Sequence, residues 1–235
     1  MITSGNDPLG RIILDFASDG IEREVLVESE ICDDDTIPAS YLLRSYDEMP
    51  EMEQLALSSC KGSILDIGAG SGIHAKYLME KGFSVRAIDV SPGAVEYMQA
   101  QGIDARVQNF FDVDEQFDTL VMMMNGIGIA GSLSNLEHTL LHAKKLMPEN
   151  GQLLCDSTDI KYLYMDDEGG MWVDLNTEYY GNFRFRMSYA DQSTDWFDWL
   201  YVDFETLEKT ANKIGLKVEK LVEVETQFLA RITHA

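Results

Sequence analysis

Asp66 interrupts an apolar run, Ile64-Leu65-Asp66-Ile67, and three glycines follow at alternate positions, Gly68, Gly70 and Gly72. Glycine carries no Cβ, so such a stretch turns sharply and lets a ligand reach the backbone. Ala75, Lys76, Tyr77 and Leu78 then suit a helix. A buried strand leading into this turn and a helix forms the ligand-cradling corner of a doubly wound sheet. The spacing separates ligand classes. A dinucleotide corner has Gly-x-Gly-x-x-Gly, with the pyrophosphate on the helix N-terminus; here the third glycine comes one residue early and Ile73 occupies the dinucleotide position. Asp66 would also set a negative charge close to a phosphate. It suits a ligand that brings a cation.

S-adenosylmethionine is such a ligand, with no phosphate but an α-ammonium and a sulfonium. The run Leu65-Asp66-Ile67-Gly68-Ala69-Gly70-Ser71-Gly72 resembles the class I S-adenosylmethionine-dependent methyltransferases, as does Ala87-Ile88-Asp89-Val90-Ser91-Pro92, a second strand ending in an acid. The resemblance extends more loosely over residues 60–156. It implies a Rossmann-like fold: a doubly wound, mostly parallel seven-stranded sheet ending in an antiparallel strand pair. It further implies S-adenosyl-L-methionine as donor and S-adenosyl-L-homocysteine as product. On this pattern Asp66 meets the ammonium, and the amides of Gly68, Ala69, Gly70 and Gly72 approach the methionine part. Asp89, with Val90 beside it, accepts the two ribose hydroxyls. Asn109 matches the position that reaches the adenine amino group, and Phe110 supplies an apolar wall. The family more often has Asp there, and Asp112 lies three residues on; Phe110 and Phe111 equally suit plain core.

The fourth strand ends at Met124-Asn125-Gly126-Ile127-Gly128, on the edge where side chains meet a bound ligand. Asn125 is the candidate acceptor-positioning residue and is also expected to touch the donor, at the donor–acceptor junction. It resembles an Asn that some family members use to hold an acceptor nitrogen, but the Pro-Pro-aromatic of that subgroup is missing, so its substrate does not transfer. Methyl transfer is an in-line displacement at an activated carbon, and no dedicated base is compulsory. His74 follows the glycines and sits either near the site or in helix packing. His138 and His142 share a helical face without a third ligand, so no metal is expected. The acceptor pocket falls to the weakly patterned parts: Tyr41 and Tyr46 in an N-terminal helical lid, and Arg184 and Arg186 in a segment rich in Trp and Tyr. Trp172, Tyr179, Tyr180, Trp196 and Trp199 can wall a flat or anionic molecule, or a cation. The same segment can instead extend the sheet or form a homodimer contact.

Charge narrows the acceptor. Eighteen Lys and Arg against 41 Asp and Glu leave −23 over 235 residues. Nucleic-acid binding draws on cations replacing counterions at phosphates, and no basic run exceeds Lys144-Lys145. A small-molecule acceptor is therefore expected, with no nucleic acid. No apolar run is long enough for a membrane span, and the first ten residues lack a signal-peptide pattern. Cys32, Cys60 and Cys155 have no metal spacing and suit reduced thiols of a cytoplasmic protein. Against a small-molecule methyltransferase stand three alternatives: a silent donor-binding module that acts as a protein partner, a protein or nucleic-acid methyltransferase, and a nucleotide-dependent oxidoreductase.

The elements that position these residues alternate. Strands are expected at 63–67, 84–89, 104–108, 117–123 and 152–156, with helices at 72–81, 92–101 and 136–147 between them; this is the α/β pattern of a parallel sheet. Ser91 and Pro92 suit a helix start. A helix at 203–214, capped by Asp203, precedes paired strands at 216–224 and 227–233. Residues 1–59 form an N-terminal helical or lid extension, kinked by Pro50. Residues 60–235 form the donor-binding domain, with an inserted hairpin region at 157–202. Residues 183–189 alternate strictly and predict a half-exposed strand, with Gly181-Asn182 as a hairpin turn from 173–180.

Overall fold

Apolar runs such as Thr119-Leu120-Val121-Met122 need cover on both faces, and the fold supplies it. The computed structural model describes residues 2, 3, 5–165 and 179–235. In chain order its elements are α1 (Pro8–Asp19), β1 (Glu24–Ser29), β2 (Asp35–Pro38), α2 (Ala39–Leu42), α3 (Glu51–Ser58), β3 (Ser63–Ile67), α4 (Ile73–Glu80), β4 (Ser84–Asp89), α5 (Pro92–Ala100), β5 (Asp104–Val107), β6 (Thr119–Met122), α6 (Leu133–Leu146), β7 (Gln152–Thr158), β8 (Asn182–Tyr189), β9 (Gln192–Ser193), β10 (Phe197–Leu200), α7 (Phe204–Lys213), β11 (Leu216–Val224) and β12 (Gln227–His234). The main sheet has seven strands in the order β11-β12-β7-β6-β3-β4-β5. The five central and far strands are parallel, and β12 and β11 add on antiparallel.

Side chains alternate across this sheet with period two. Leu65, Leu120, Met122 and Leu153 join Leu136, Leu140 and Ala143 of α6 on one side. Ile64, Val121 and Leu154 join Ala56 and Leu57 of α3 and Leu78 of α4 on the other. Helix starts follow the expected chemistry. Ser91 Oγ accepts the Ala94 amide at 3.0 Å, and Asp203 accepts that of Thr206 at 2.9 Å.

The unexpected element is a second antiparallel sheet. Its order is β10-β8-β1-β2, with β9 paired to β8. The stretch before residue 39 therefore contributes two strands besides α1, and these hydrogen-bond to the inserted region: Leu26 faces Ser188 and Ser29 faces Phe185. The alternation at 183–189 does mark a strand, but its tight turn follows it. Tyr189 pairs with Gln192 across Ala190-Asp191, with Ala190 at φ 53°. Gly181 instead accepts the Tyr201 amide with its carbonyl. The expected partner strand at 173–180 lies, except for Tyr179 and Tyr180, outside the described residues.

Helix α1 lies between this sheet and α5. Ile12 and Ile13 cluster with Val25 and Ala39 and with Ala94 of α5. Gly10 and Gly93 meet at the helix crossing, where a Cβ on Gly93 would fall 2.8 Å from the Gly10 Cα. Such a contact forces the backbones apart, so Gly93→Ala is expected to destabilise the protein by about 1–3 kcal/mol. The urea midpoint reads this out; an unchanged midpoint would show that α1 does not hold this crossing in solution.

Candidate functional site

The chain runs outward from β3 to β4 and β5 on one side and from β6 to β7 on the other. Between β3 and β6 the direction reverses, and a crevice opens at the carboxyl ends of the strands. Asp66, near the end of β3, is 2% exposed, and its Oδ2 has no hydrogen-bond partner. Burial pushes its carboxyl up to about 6, against the opposing pull of His74 and the Ala75 amide.

The glycine corner divides into two parts. Gly68 and Gly70 have φ 67° and 56°, and a Cβ at either would meet nothing within 4 Å. Gly72 is buried instead, and a Cβ there would lie 2.6 Å from Met98 Cγ. Its small size serves the packing of α4 on α5. The amides are also used differently from the sequence expectation. Gly68 and Ala69 donate to the Ile88 carbonyl at 2.9 and 3.1 Å, Gly70 to Asp89 Oδ2 at 2.8 Å, and Gly72 to the Ala69 carbonyl at 2.8 Å. All four N–H groups are committed inside the fold rather than to the crevice. A phosphate cradle depends on free N–H groups; an open corner above an unpartnered carboxylate oxygen favours a cation.

Asp89, at the end of β4, is 7% exposed. Its two oxygens accept the Gly70 and Ser91 amides, each at 2.8 Å, and burial raises its pKa against these bonds. Asp7 reinforces this loop from α1: its Oδ2 accepts Ser91 Oγ and the Gly93 amide, both at 2.8 Å. Asp7 before Pro8 signals a helix start in the sequence, and nothing local announces its distant partners. Val90 is exposed beside Asp89. Asn109 Oδ1 accepts the Phe111 amide at 2.9 Å and caps a short turn. Phe110 is core: it is 1% exposed and meets His142 edge-on at 4.8 Å.

Past β6, Met124 and Asn125 both adopt left-handed backbone, at φ 64° and 57°. Strain of this kind persists only where surrounding bonds enforce it. Asp156, 1% exposed at β7, accepts the Asn125 amide at 2.9 Å, the Gly126 amide at 3.3 Å and Gln227 Nε2 at 2.9 Å. Asn125 Nδ2 donates to the Leu200 carbonyl at 3.3 Å, while its buried Oδ1 has no partner. Trp199 of β10 closes over Gly128, where a Cβ would fall 2.2 Å from Trp199 Nε1. The second sheet thus covers the turn after β6.

The other candidates separate. Tyr41 is 40% exposed, with the Arg44 guanidinium 4.0 Å over its ring. Tyr46 stacks on Tyr77 at 3.9 Å and serves packing. Arg184 and Arg186 are not brought to the crevice. They alternate with Phe183, whose face looks inward, and pair with Glu30 and Glu28 on the opposite side of the second sheet. Tyr179 and Tyr180 bind Asp203 and Asp159 through their hydroxyls. Trp172 lies outside the described residues. His74 meets Glu53 at 2.8 Å, and Glu53 receives Arg44 at 2.6 Å on both oxygens. Burial would raise Glu53, but the bonds from His74 and Arg44 hold it below the usual carboxylate range. His138 stacks on Phe111, and His142 meets the Phe110 carbonyl. No group of three metal-ligating side chains occurs among the described residues. Burial and Asp66 push the Cys60 thiol up to about 12, so it is inert.

Residues 42–221 match the model of a methyltransferase domain. An S-adenosylmethionine-dependent methyltransferase of Bacteroides fragilis, solved in complex with S-adenosyl-L-homocysteine, superposes with a TM-score of 0.94 at 42% identity, over 100% of this chain and 98% of that one. An uncharacterized methyltransferase of Staphylococcus carnosus is 28% identical over 193 residues, 80% of this chain and 85% of its own. A Clostridium acetobutylicum S-adenosylmethionine-dependent methyltransferase shares the fold at 14% identity, with a TM-score of 0.56 over 80% of this chain and 94% of that one. The unpartnered Asp66 oxygen and the open Gly68 and Gly70 fit such a cofactor.

A carboxylate that receives an ammonium must be ionised, and burial keeps Asp66 protonated below about pH 6. S-adenosylhomocysteine affinity is therefore expected to fall about tenfold per pH unit below that point and to level off above it. Asp66→Asn flattens this profile. In the free protein the sign is opposite: the raised pKa favours the fold at low pH, and that contribution is lost as pH rises through about 6. Asp66→Asn thus gains thermal stability over wild type in alkaline buffer. Calorimetric titration across the range tests the profile, and a flat wild-type curve would remove Asp66 from the cation seat.

Proposed function

Because the chain belongs to the methyltransferase-domain family and is an S-adenosylmethionine-dependent methyltransferase, we infer that its methyl acceptor is a small molecule. The observation that carries this is the cover over the turn after β6. Asn125 and Gly128 stand at the switch-point crevice, and Leu200 and Trp199 of the second sheet close on them. A polymer needs an open track, whereas a covered site suits a molecule that it can surround. The formal charge of −23 supports the same conclusion against nucleic acid.

In this reading Asp66 takes the α-ammonium, and Gly68 and Gly70 leave room for the methionine chain. Asp89 keeps a lone pair on each oxygen for the ribose hydroxyls, with Val90 as an apolar flank. Asn109 lies where the adenine would end, with Nδ2 uncommitted. Asn125 and Tyr41 face the acceptor. The bound donor supplies a methyl carbon already activated by its sulfonium. The chain's part is to align the acceptor's lone pair with that carbon and to exclude water, and preorganisation of this kind is worth about 7–11 kcal/mol. No described side chain near Asn125 is a free base: His74 is tied to Glu53, and Asp156 accepts three hydrogen bonds.

Two measurements check this. Incubated with methyl-labelled S-adenosylmethionine and a cell extract, the enzyme should place label in the low-molecular-weight filtrate; label confined to protein or nucleic acid would refute a small acceptor. Asp89→Ala should weaken S-adenosylhomocysteine binding by at least about tenfold through loss of one or two charge-assisted hydrogen bonds. Unchanged affinity would place the ribose elsewhere.

A further inference from the structure

Two buried polar atoms beside the glycine corner lack a partner, and they are of opposite kind: the acceptor Asp66 Oδ2 and the donor Arg44 Nε. Arg44 is 6% exposed and is the one buried Lys or Arg among the described residues. Its remaining nitrogens are committed. One bonds the Tyr41 carbonyl, and the other meets both Glu53 oxygens at 2.6 Å. The free edge of the guanidinium is therefore Nε–H. Leaving a buried charged donor unpaired is costly, so folds retain one mainly where something else completes it.

Asp66 and Arg44 stand at the ends of one row. His74 acts electrostatically on Asp66 and meets Glu53 at 2.8 Å, and Glu53 holds Arg44. Ser71 Oγ, within the glycine corner, donates to the Leu42 carbonyl and ties the start of this segment to the loop. The amino-acid end of S-adenosylmethionine is a zwitterion, with an ammonium that needs an acceptor and a carboxylate that needs a donor. A guanidinium N–H gives a carboxylate a charge-assisted hydrogen bond, and Arg stays charged when buried.

We propose that Arg44 binds the α-carboxylate of the methyl donor through its free Nε–H edge, with Glu53 as the positioning residue that fixes the guanidinium. The assignment rests on Asp66 as the ammonium seat. It makes residues 39–58 part of the donor site, beyond any role as a lid.

Calorimetry with three ligands separates the roles: S-adenosylhomocysteine, its analogue lacking the carboxylate (aminopropylthio-deoxyadenosine), and methylthioadenosine, which lacks both charges. Wild type should bind S-adenosylhomocysteine at least about tenfold more tightly than the decarboxylated analogue. Arg44→Met should remove that preference, weakening S-adenosylhomocysteine by the same factor and leaving the analogue within about twofold. Glu53→Gln should narrow the preference, and Arg44→Lys should retain part of it. Equal losses for both ligands would mark Arg44 as structural and overturn the proposal. So would a wild-type ratio near one, which needs no variant to fold. Asp66→Asn should weaken both ammonium-bearing ligands and spare methylthioadenosine. If it spares all three while Arg44→Met behaves as stated, the ammonium seat falls and the carboxylate assignment stands.

Discussion

The site depends on a carboxylate held where water cannot reach it. Asp66 is carried into the interior by the strand it belongs to, and one of its oxygens accepts nothing. An isolated buried charge is expensive, so such a group either keeps its proton or acquires a counter-charge. The fold moderates the expense with the Ala75 amide and with His74. It does not abolish it. What remains is a bias toward a cationic ligand, and the inward-turned amides of Gly68, Ala69, Gly70 and Gly72 add to that bias by being committed within the fold.

The same constraint recurs around the crevice. The buried acids among the described residues are Asp7, Glu53, Asp66, Asp89 and Asp156, and each ties a loop at the carboxyl edge of the sheet or braces a neighbour of one. Asp89 joins the ends of two loops, and Asp7 joins α1 to the second of them. Asp156 holds the left-handed Asn125 and the Gly126 after it in place, and Glu53 links the N-terminal segment to α4. Carboxylates suit this work because each offers several lone pairs to backbone amides that would otherwise be buried unpaired. A chain this acidic therefore uses part of its charge as internal scaffolding, beyond any contribution to solubility.

The second sheet is where the chain departs most from a local pattern. Residues 24–38 and 182–200 are far apart in sequence, and each supplies strands of this sheet. Neither segment says which partner it will pair with. Their register is set by contacts with α1 and α5, and α1 reaches α5 only because Gly10 and Gly93 allow the backbones to touch. Through Leu200 and Trp199 the sheet then closes on the turn after β6. Cover for the turn after β6 is thus a property of two distant segments acting together.

Much of the fold was legible because the relevant forces are local. The alternation of strand and helix segments bounded by turns located β3, β4, β5, β6 and β7, Ser91 and Asp203 marked their helices, and the glycine corner with Asp66 and Asp89 pointed to the donor. Other assignments turned on what lies across space. Gly72 looks the same as Gly68 in the sequence, yet one packs on Met98 and the other opens to the crevice. Arg184 and Arg186 look like ligand-binding groups, yet the pleat points them away, toward Glu30 and Glu28. Arg44, Glu53 and Asp156 carry no motif at all. By itself, the sequence determined the order of strands and helices in the main sheet, the chemistry of the corner and the type of cofactor, because periodicity and backbone freedom act over a few residues. Only the tertiary structure decided which acids are buried, which polar atoms are left unpaired and what covers the turn after β6, because desolvation and hydrogen-bond satisfaction depend on every neighbour a residue acquires.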